Sequence, residues 1–338
     1  MLNLEYKEWK DFKIDILFKV NKGIYLKQDL IIKGDIPYIT AKAVSNGLSE
    51  FIGNKKLFKK NSITVEKVKL TAFYQPIDYY CSHDVSVLEN KVLNKENSLF
   101  ICSMINRQGS KYSYGRQAQM NVVKRETLFC PINKSKEPDF EYMEEYSKSI
   151  INNKTEKYKQ YAQKVLNGIE YKNIETLENK EWKEFKIYNI FSHQRGKRQI
   201  EANRKKGNIP YYSASQTNNG LTDFISNPTF KISTNAIIYS TFGDAYYVEK
   251  DFSTSDEITI LTNSKLNKFN GLFISKSINQ NKSKYSFGRK AFSNKIGKDK
   301  IMLPINDKKE PDFEYMEQYI KNLTFKKMKQ YLDYLEKS

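Results

Sequence analysis

Apolar residues along the chain follow two periods. From Phe140 through Met143, Ile150, Ile151, Tyr158, Tyr161 and Val165 they recur every three or four positions, the spacing of one buried helix stripe. Phe313, Met316, Ile320, Leu323, Met328, Tyr331 and Leu335 repeat the pattern near the end. Pro138-Asp139 and Pro311-Asp312 precede these stripes and place an aspartate where a helix needs its first N–H groups capped. Gly168 marks the stop of the first helix. NSLFICSMINRQ (97–108) and NGLFISKSINQN (270–281) have the same helical spacing. Elsewhere the apolar residues alternate. GDIPYIT (34–40), GNIPYYS (207–213), NAIIYSTF (235–242), DEITILT (256–262) and the stretches ending LFCPIN (128–133) and IMLPIN (301–306) predict strands. Asn-Gly in SNGL (45–48) and NNGL (218–221) predicts tight turns into return strands FIGNKKLF and FISNPTF.

Each of these elements occurs twice. EWKDFKI around Trp9 matches EWKEFKI around Trp182, KYSYGR (111–116) matches KYSFGR (284–289), and EPDFEYMEEY (137–146) matches EPDFEYMEQY (310–319). Trp9 and Trp182 lie 173 residues apart, as do Arg116 and Arg289, so a whole unit is duplicated. That period is far longer than the roughly 20–50 residues of a solenoid repeat. The pattern predicts an α/β (mixed α+β) protein: globular domains at 1–138 and 176–311, and long helices at 139–175 (with a linker) and 312–338. An amphipathic helix must bury its stripe, so the expectation is that the two helices pack antiparallel with pseudo-twofold symmetry. From 139 to 166 the first helix would run about 40 Å at about 1.5 Å per residue, close to the roughly 34–36 Å of one DNA turn.

Composition narrows the partner. The 338 residues carry a formal net charge of +18, which favours a polyanion such as nucleic acid. No apolar run is long enough to span a membrane and the N-terminus lacks a signal peptide's apolar stretch, so a cytoplasmic protein is expected. Cys81, Cys102 and Cys130 all fall in the first unit without counterparts in the second. They are expected to be reduced core thiols.

Catalytic signatures are missing. His83 and His193 are not at matching positions and form no metal-ligand pattern with the cysteines. There is no Walker A or G-x-G-x-x-G sequence. Asn227-Pro228-Thr229-Phe230 matches three of the four positions of a methyltransferase tetrad, but without a glycine-rich donor site it reads as a turn. The informative polar sites are loops. Lys111, Tyr112, Arg116 and their counterparts Lys284, Tyr285 and Arg289 interleave cations with aromatics, which suits contact with phosphates and base edges. A tight turn that needs Gly115 and Gly288 for backbone geometry explains the same residues equally well. A second set differs between copies: Arg195, Lys197 and Arg198, and Ser213, Ser215 and Gln216 against Thr40, Lys42 and Ala43. Glutamine can pair with adenine through two hydrogen bonds, which lysine or alanine cannot.

The motif order resembles the specificity subunits of type I restriction–modification systems: EWK-[DE]-F-KI, G-[DN]-IPY, NGL, P-IN, then EPDFEYM, twice. It is most similar to the version serving fused restriction–methylation polypeptides (type IIB-like), and the resemblance covers nearly the whole chain. It implies two target-recognition domains on an antiparallel helical spacer, each reading half of a bipartite, gapped DNA sequence. It implies no catalytic site and no cofactor on this chain. Methyltransferase, or fused methyltransferase–endonuclease, partner subunits would bring S-adenosylmethionine and Mg²⁺. The competing expectations are a basic scaffold binding nucleic acid without sequence preference, and a stand-alone DNA methyltransferase.

Overall fold

The computed structural model describes residues 4–55, 57–249 and 251–337; Lys56, within the expected return strand, lies outside them, as do Met1–Asn3, Lys250 and Ser338. The chain divides into two compact units, Met1–Tyr158 and Lys159–Ser338. Unit 1 contains strands β1 (Trp9–Lys13), β2 (Lys19–Lys22), β3 (Lys33–Ile39), β4 (Leu48–Ile52), β5 (Ser62–Glu66), β6 (Ala72–Gln75), β7 (Tyr80–Cys81), β8 (Val85–Glu89) and β9 (Thr127–Pro131). Its helices are α1 (Ile14–Leu17), α2 (Lys95–Asn106), α3 (Met120–Arg125) and α4 (Phe140–Asn167), the last running past the unit boundary.

Unit 2 repeats the order with β10 (Trp182–Lys186), α5 (Ile187–Ile190), β11 (Ser192–Arg195), β12 (Lys206–Tyr212), β13 (Leu221–Ile225), β14 (Ala236–Ser240), β15 (Ala245–Val248), β16 (Ser253–Thr254), β17 (Ile258–Thr262), α6 (Lys268–Asn279), α7 (Ser293–Ile296), β18 (Lys300–Pro304) and α8 (Phe313–Lys337).

Three sheets organise each unit. In unit 1 they run β2-β8-β5-β6, β4-β3-β7 and β1-β9; in unit 2, β11-β17-β14-β15, β13-β12-β16 and β10-β18. All pairs are antiparallel except β3–β7 and β12–β16. Every residue of β5 and of β14 is buried, as expected of a strand covered on both faces. The first core gathers Ile14, Phe18, Ile63, Leu88, Ile101 and Leu128 around α2. The second gathers Ile187, Ile237, Leu261, Ile274 and Leu303 around α6. Each such side chain contributes roughly 1.5–3 kcal/mol by leaving water.

Both central helices start on the same device. The Asn94 side chain accepts from the Asn97 N–H, and Asn97 accepts in return from the Asn94 N–H, each at 2.9 Å. Asn267 and Asn270 do the same. The Asn94 amide also donates to Glu144 of α4, and Asn267 donates to Glu317 of α8 at 2.6 Å, so each core is pinned to the start of its own long helix. Asp139 and Asp312 cap those helices, accepting from the Tyr142 and Tyr315 N–H groups, as the sequence predicts. Each aspartate also pairs with a lysine at the head of the unit, Lys7 at 2.6 Å and Lys180 at 3.0 Å. The three cysteines are free and buried, and burial pushes the Cys102 and Cys130 thiols up to about 12. Asn227 accepts from the Lys205 N–H at 2.8 Å and donates to the Asn203 carbonyl at 2.9 Å. Asn54 makes the equivalent pair of bonds in unit 1, which establishes the methyltransferase-like tetrad as a structural turn. Among the described residues no helix is long and apolar enough to cross a membrane.

Candidate nucleic-acid interface

The KYS[YF]GR segments form two-residue hairpins. Ser113 and Arg116 exchange backbone bonds of 3.2 and 3.0 Å, and Ser286 and Arg289 repeat them. The base of each hairpin is anchored by a tyrosine, buried in unit 1 and half-buried in unit 2. Tyr112 donates to Glu126, whose carboxylate also meets Lys111 at 2.9 Å. Tyr285 donates to Asp299 at 2.6 Å, where Tyr239 also donates at 3.0 Å. Burial first, then the carboxylate, pushes the Tyr112 hydroxyl up to about 12 and moves Tyr285 in the same direction. These tyrosines, read from the sequence as candidate contacts, therefore face inward as anchors. Lys284 donates to Asn281 at 2.6 Å and also serves the base.

What the hairpins present outward is Tyr114 or Phe287, each 84% exposed, with Arg116 or Arg289 exposed beside it. The glycine at the tip is not explained by folding. Neither Gly115 nor Gly288 has a positive φ, and a Cβ on either would meet nothing within 4 Å. Of the two readings open for these glycines, the tight-turn one finds no support: inside this molecule, alanine would fit. A glycine that the fold does not need is consistent with close approach of an outside surface to the backbone.

Each hairpin leans on the turn between the fifth and sixth strands of its unit. The Ala118 N–H donates to the Lys67 carbonyl at 2.6 Å, and Ala291 to Thr241 at 2.7 Å. In unit 1 the close approach is made by Gly109, where a Cβ would lie 2.7 Å from the Lys69 carbonyl oxygen. In unit 2 Lys282 stands in place of Gly109, and the glycine is now on the other side, Gly243, whose Cβ would lie 3.1 Å from the Lys282 Cα. Both units make the close approach, unit 1 through Gly109 and unit 2 through Gly243, which also sits in the left-handed region at φ +88°.

Next to the hairpin the units diverge. In unit 2, Lys290 pairs with Glu257 at 2.8 Å and sits over the Phe287 and Phe242 rings. Arg195 donates through Nε to the Asp256 carbonyl at 2.6 Å, with its guanidinium over Phe292. The hairpin and the Arg195 loop thus form one surface, which Lys197 and Arg198 extend as exposed cations. In unit 1 Gln117 replaces Lys290, and the corresponding turn instead has Lys67 paired with Asp84 at 2.7 Å, His83 Nε2 at 3.3 Å from Asp84, and the exposed Tyr25 ring edge-on to His83. The backbone beneath is the same. A Cβ on Gly23 would lie 2.0 Å from the Ser82 carbonyl oxygen and one on Gly196 2.1 Å from that of Ser255, so only glycine permits this crossing.

Lys42, Ser213, Ser215 and Gln216 belong to a different loop, joining β3 to β4 and β12 to β13. Its tip holds Asn46-Gly47 or Asn219-Gly220 in the left-handed region, as the Asn-Gly signal predicts. Asn46 donates to the Tyr74 carbonyl at 3.2 Å, which ties the loop to the last residues of β6, whereas the hairpin leans on the turn before that strand. Lys42 and Gln216 are exposed, Ser215 is occupied with Thr217 inside the loop, and the Ser213 N–H closes the loop onto Gly220. No group of three or more metal-ligating side chains occurs among the described residues.

Three comparisons bear on this geometry. The type I restriction modification DNA specificity domain matches residues 6–160 and again residues 179–333. The chain belongs to that family. A specificity subunit of a type II restriction enzyme, S.BcgI from Heyndrickxia coagulans, is 31% identical over 294 residues, covering 84% of each protein. The crystal structure of the type I restriction–modification S subunit from M. genitalium aligns with 99% of this chain and 94% of its own at 17% identity, with a TM-score of 0.59, a likeness of fold. As a family member the chain is a non-catalytic specificity subunit. The specificity domain occurring twice agrees with the duplicated surface above.

Asp256, Lys290 and Phe292 were missed by sequence reasoning, which took Tyr25 only as part of a weaker candidate loop, 19–27, and gave His83 no binding role. His83 reads as structural or superficial in the sequence because its partners lie 58 residues upstream and on an adjoining turn. The one available signal was divergence at the 173-residue offset, which places His83 opposite Asp256 and Tyr25 opposite Arg198.

Proposed function

We propose that each unit reads one half of a bipartite, gapped double-stranded DNA target and that α4 and α8 serve as the spacer that sets the gap. The observation that supports this reading is the paired surface: a cationic-aromatic hairpin, alike in both units but for Tyr114 against Phe287, beside residues that differ between two otherwise equal frames. Equal frames place both surfaces alike, and unequal side chains let them prefer different bases. The net charge of +18 supplies the sequence-independent attraction to phosphates. At 28 residues α4 spans about 42 Å, somewhat more than one duplex turn.

In this reading the chemistry belongs to partners, either methyltransferase or fused methyltransferase–endonuclease subunits, which bring S-adenosylmethionine and Mg²⁺; the complex works in the cytoplasm. The test is selection from random duplex DNA with the full chain, alone and with the methyltransferase subunit. A consensus of two different specified blocks separated by a fixed unspecified gap is expected. An ungapped consensus, or none, refutes the proposal.

A further inference from the structure

We propose that the base-reading side chains lie at the turn between the seventh and eighth strands of each unit and on the loop crossing it: Tyr25 and His83 in unit 1, and Arg195, held by Asp256, in unit 2. The hairpins make the contacts common to both halves. This rests on the DNA-recognition reading above and assigns roles within it.

The argument starts from what duplication preserved. The hairpin tip is the same in both units, an aromatic, a glycine and an arginine, so it cannot by itself distinguish two different half-sites. It can hold what every duplex offers, the sugar-phosphate backbone. The adjoining turn has the opposite character. Its backbone is preserved: the Ser82 N–H donates to the Ile39 carbonyl and Ser255 to Tyr212, each at 2.9 Å, and the glycine crossing holds in both. Its outward side chains are not preserved, with Tyr25 opposite Arg198, His83 opposite Asp256 and Lys22 opposite Arg195. A fixed frame carrying interchangeable side chains next to a constant backbone clamp is the arrangement that reads sequence.

The chemistry in unit 2 is specific enough to name a base. Arg195 is exposed, and its Nε is already committed to the Asp256 carbonyl. That bond orients the guanidinium, leaving its terminal N–H groups for a ligand. Two parallel donors match O6 and N7 of guanine in the major groove. Asp256 acts as a positioning residue, through its main chain and through a carboxylate 4.0 Å from the guanidinium. The unit 2 half-site should therefore contain a G·C pair read by Arg195. In unit 1 the edge-on Tyr25–His83 pair offers a ring and an imidazole, so its half-site should differ at the corresponding base pair.

The experiment repeats the selection with Arg195→Ala, His83→Ala and Tyr25→Ala in the full chain with its methyltransferase subunit, and thermal melting verifies folding of each. Arg195→Ala should lower the preference for G at one position of one half-site about 5- to 150-fold, the equivalent of a lost bidentate contact. The other half-site should stay intact. Arg195→Lys should not restore the preference, because an ammonium lacks the paired donors. His83→Ala and Tyr25→Ala should relax only the opposite half-site. If Arg195→Ala weakens all sequences equally, or leaves a clear wild-type consensus unchanged, the assignment is overturned while DNA recognition stands. A wild-type chain that returns no gapped consensus overturns recognition and this assignment together.

Discussion

Glu66 is almost fully buried, and its carboxylate holds the turn on which the unit 1 hairpin rests. Oε1 accepts from the Lys69 N–H at 2.7 Å, the Thr71 N–H at 3.1 Å and the Thr71 hydroxyl at 3.0 Å; Oε2 accepts from the Val68 N–H at 2.7 Å. Glu66→Gln keeps the volume and one oxygen. Three bonds then change from a charged to a neutral acceptor, each losing about 1 kcal/mol, and the new NH₂ group faces the Val68 N–H, donor against donor. Relief of the buried charge offsets part of the loss. The expected net destabilisation is about 3 kcal/mol. At the same place in unit 2, Ser240 Oγ accepts from Phe242 and Asp244 N–H groups, each at 3.2 Å, so Ser240→Ala should cost only about 1 kcal/mol. Each unit contains a single tryptophan, Trp9 or Trp182, so urea unfolding followed by fluorescence reads unit 1 alone in a Trp182→Phe background. A Glu66→Gln loss below about 0.5 kcal/mol, the size of an ordinary surface substitution, would refute the argument.

Other consequences follow from the same contacts. Burial raises the unit 1 thiols, so the stability they contribute is complete below their ordinary value near 9 and is lost as pH rises toward about 12. Unit 1 should lose about 1.4 kcal/mol per thiol by pH 10, Cys102→Ala with Cys130→Ala should reduce that slope while the buried Cys81 keeps its share, and denaturant melts at pH 8 and 10 test both. Asn94→Ala and Asn267→Ala should each destabilise their unit by about 1 kcal/mol through the lost cap, measurable by the same fluorescence. Gly115→Ala and Gly288→Ala should leave stability within about 0.5 kcal/mol yet weaken binding to all duplexes in a filter assay. By contrast Gly23→Ala, which forces a Cβ onto the Ser82 carbonyl, should cost about 3 kcal/mol or more. Arg116→Ala and Arg289→Ala should each reduce the slope of log affinity against log salt by about 1; unchanged slopes would remove them from the phosphate contacts.

Much of the architecture was written in local pattern. The 3.6-residue stripes located α4 and α8, the Pro-Asp pairs located their caps, Asn-Gly located the left-handed turns, and the constant offset announced two units before any contact was known. These features are legible because neighbours in sequence decide them: capping, turn geometry and one-sided burial act over a few residues. Tertiary structure decided which polar residues form a surface. Tyr112 and Tyr285 look identical to Tyr114 and Phe287 as aromatics in a basic loop, yet each of the first pair donates to a carboxylate just before the following strand, Glu126 or Asp299, and is held inward. Tyr25 meets His83, and Arg195 meets Asp256 and Phe292, across 58 to 97 residues that only strand pairing brings together. The close approach made by Gly109 in unit 1 and by Gly243, which is also left-handed, in unit 2 is invisible position by position, because the two glycines stand at different places in the repeat. Sequence alone determined two equal frames with unequal loops; packing alone determined which of those loops stand together beside a common hairpin.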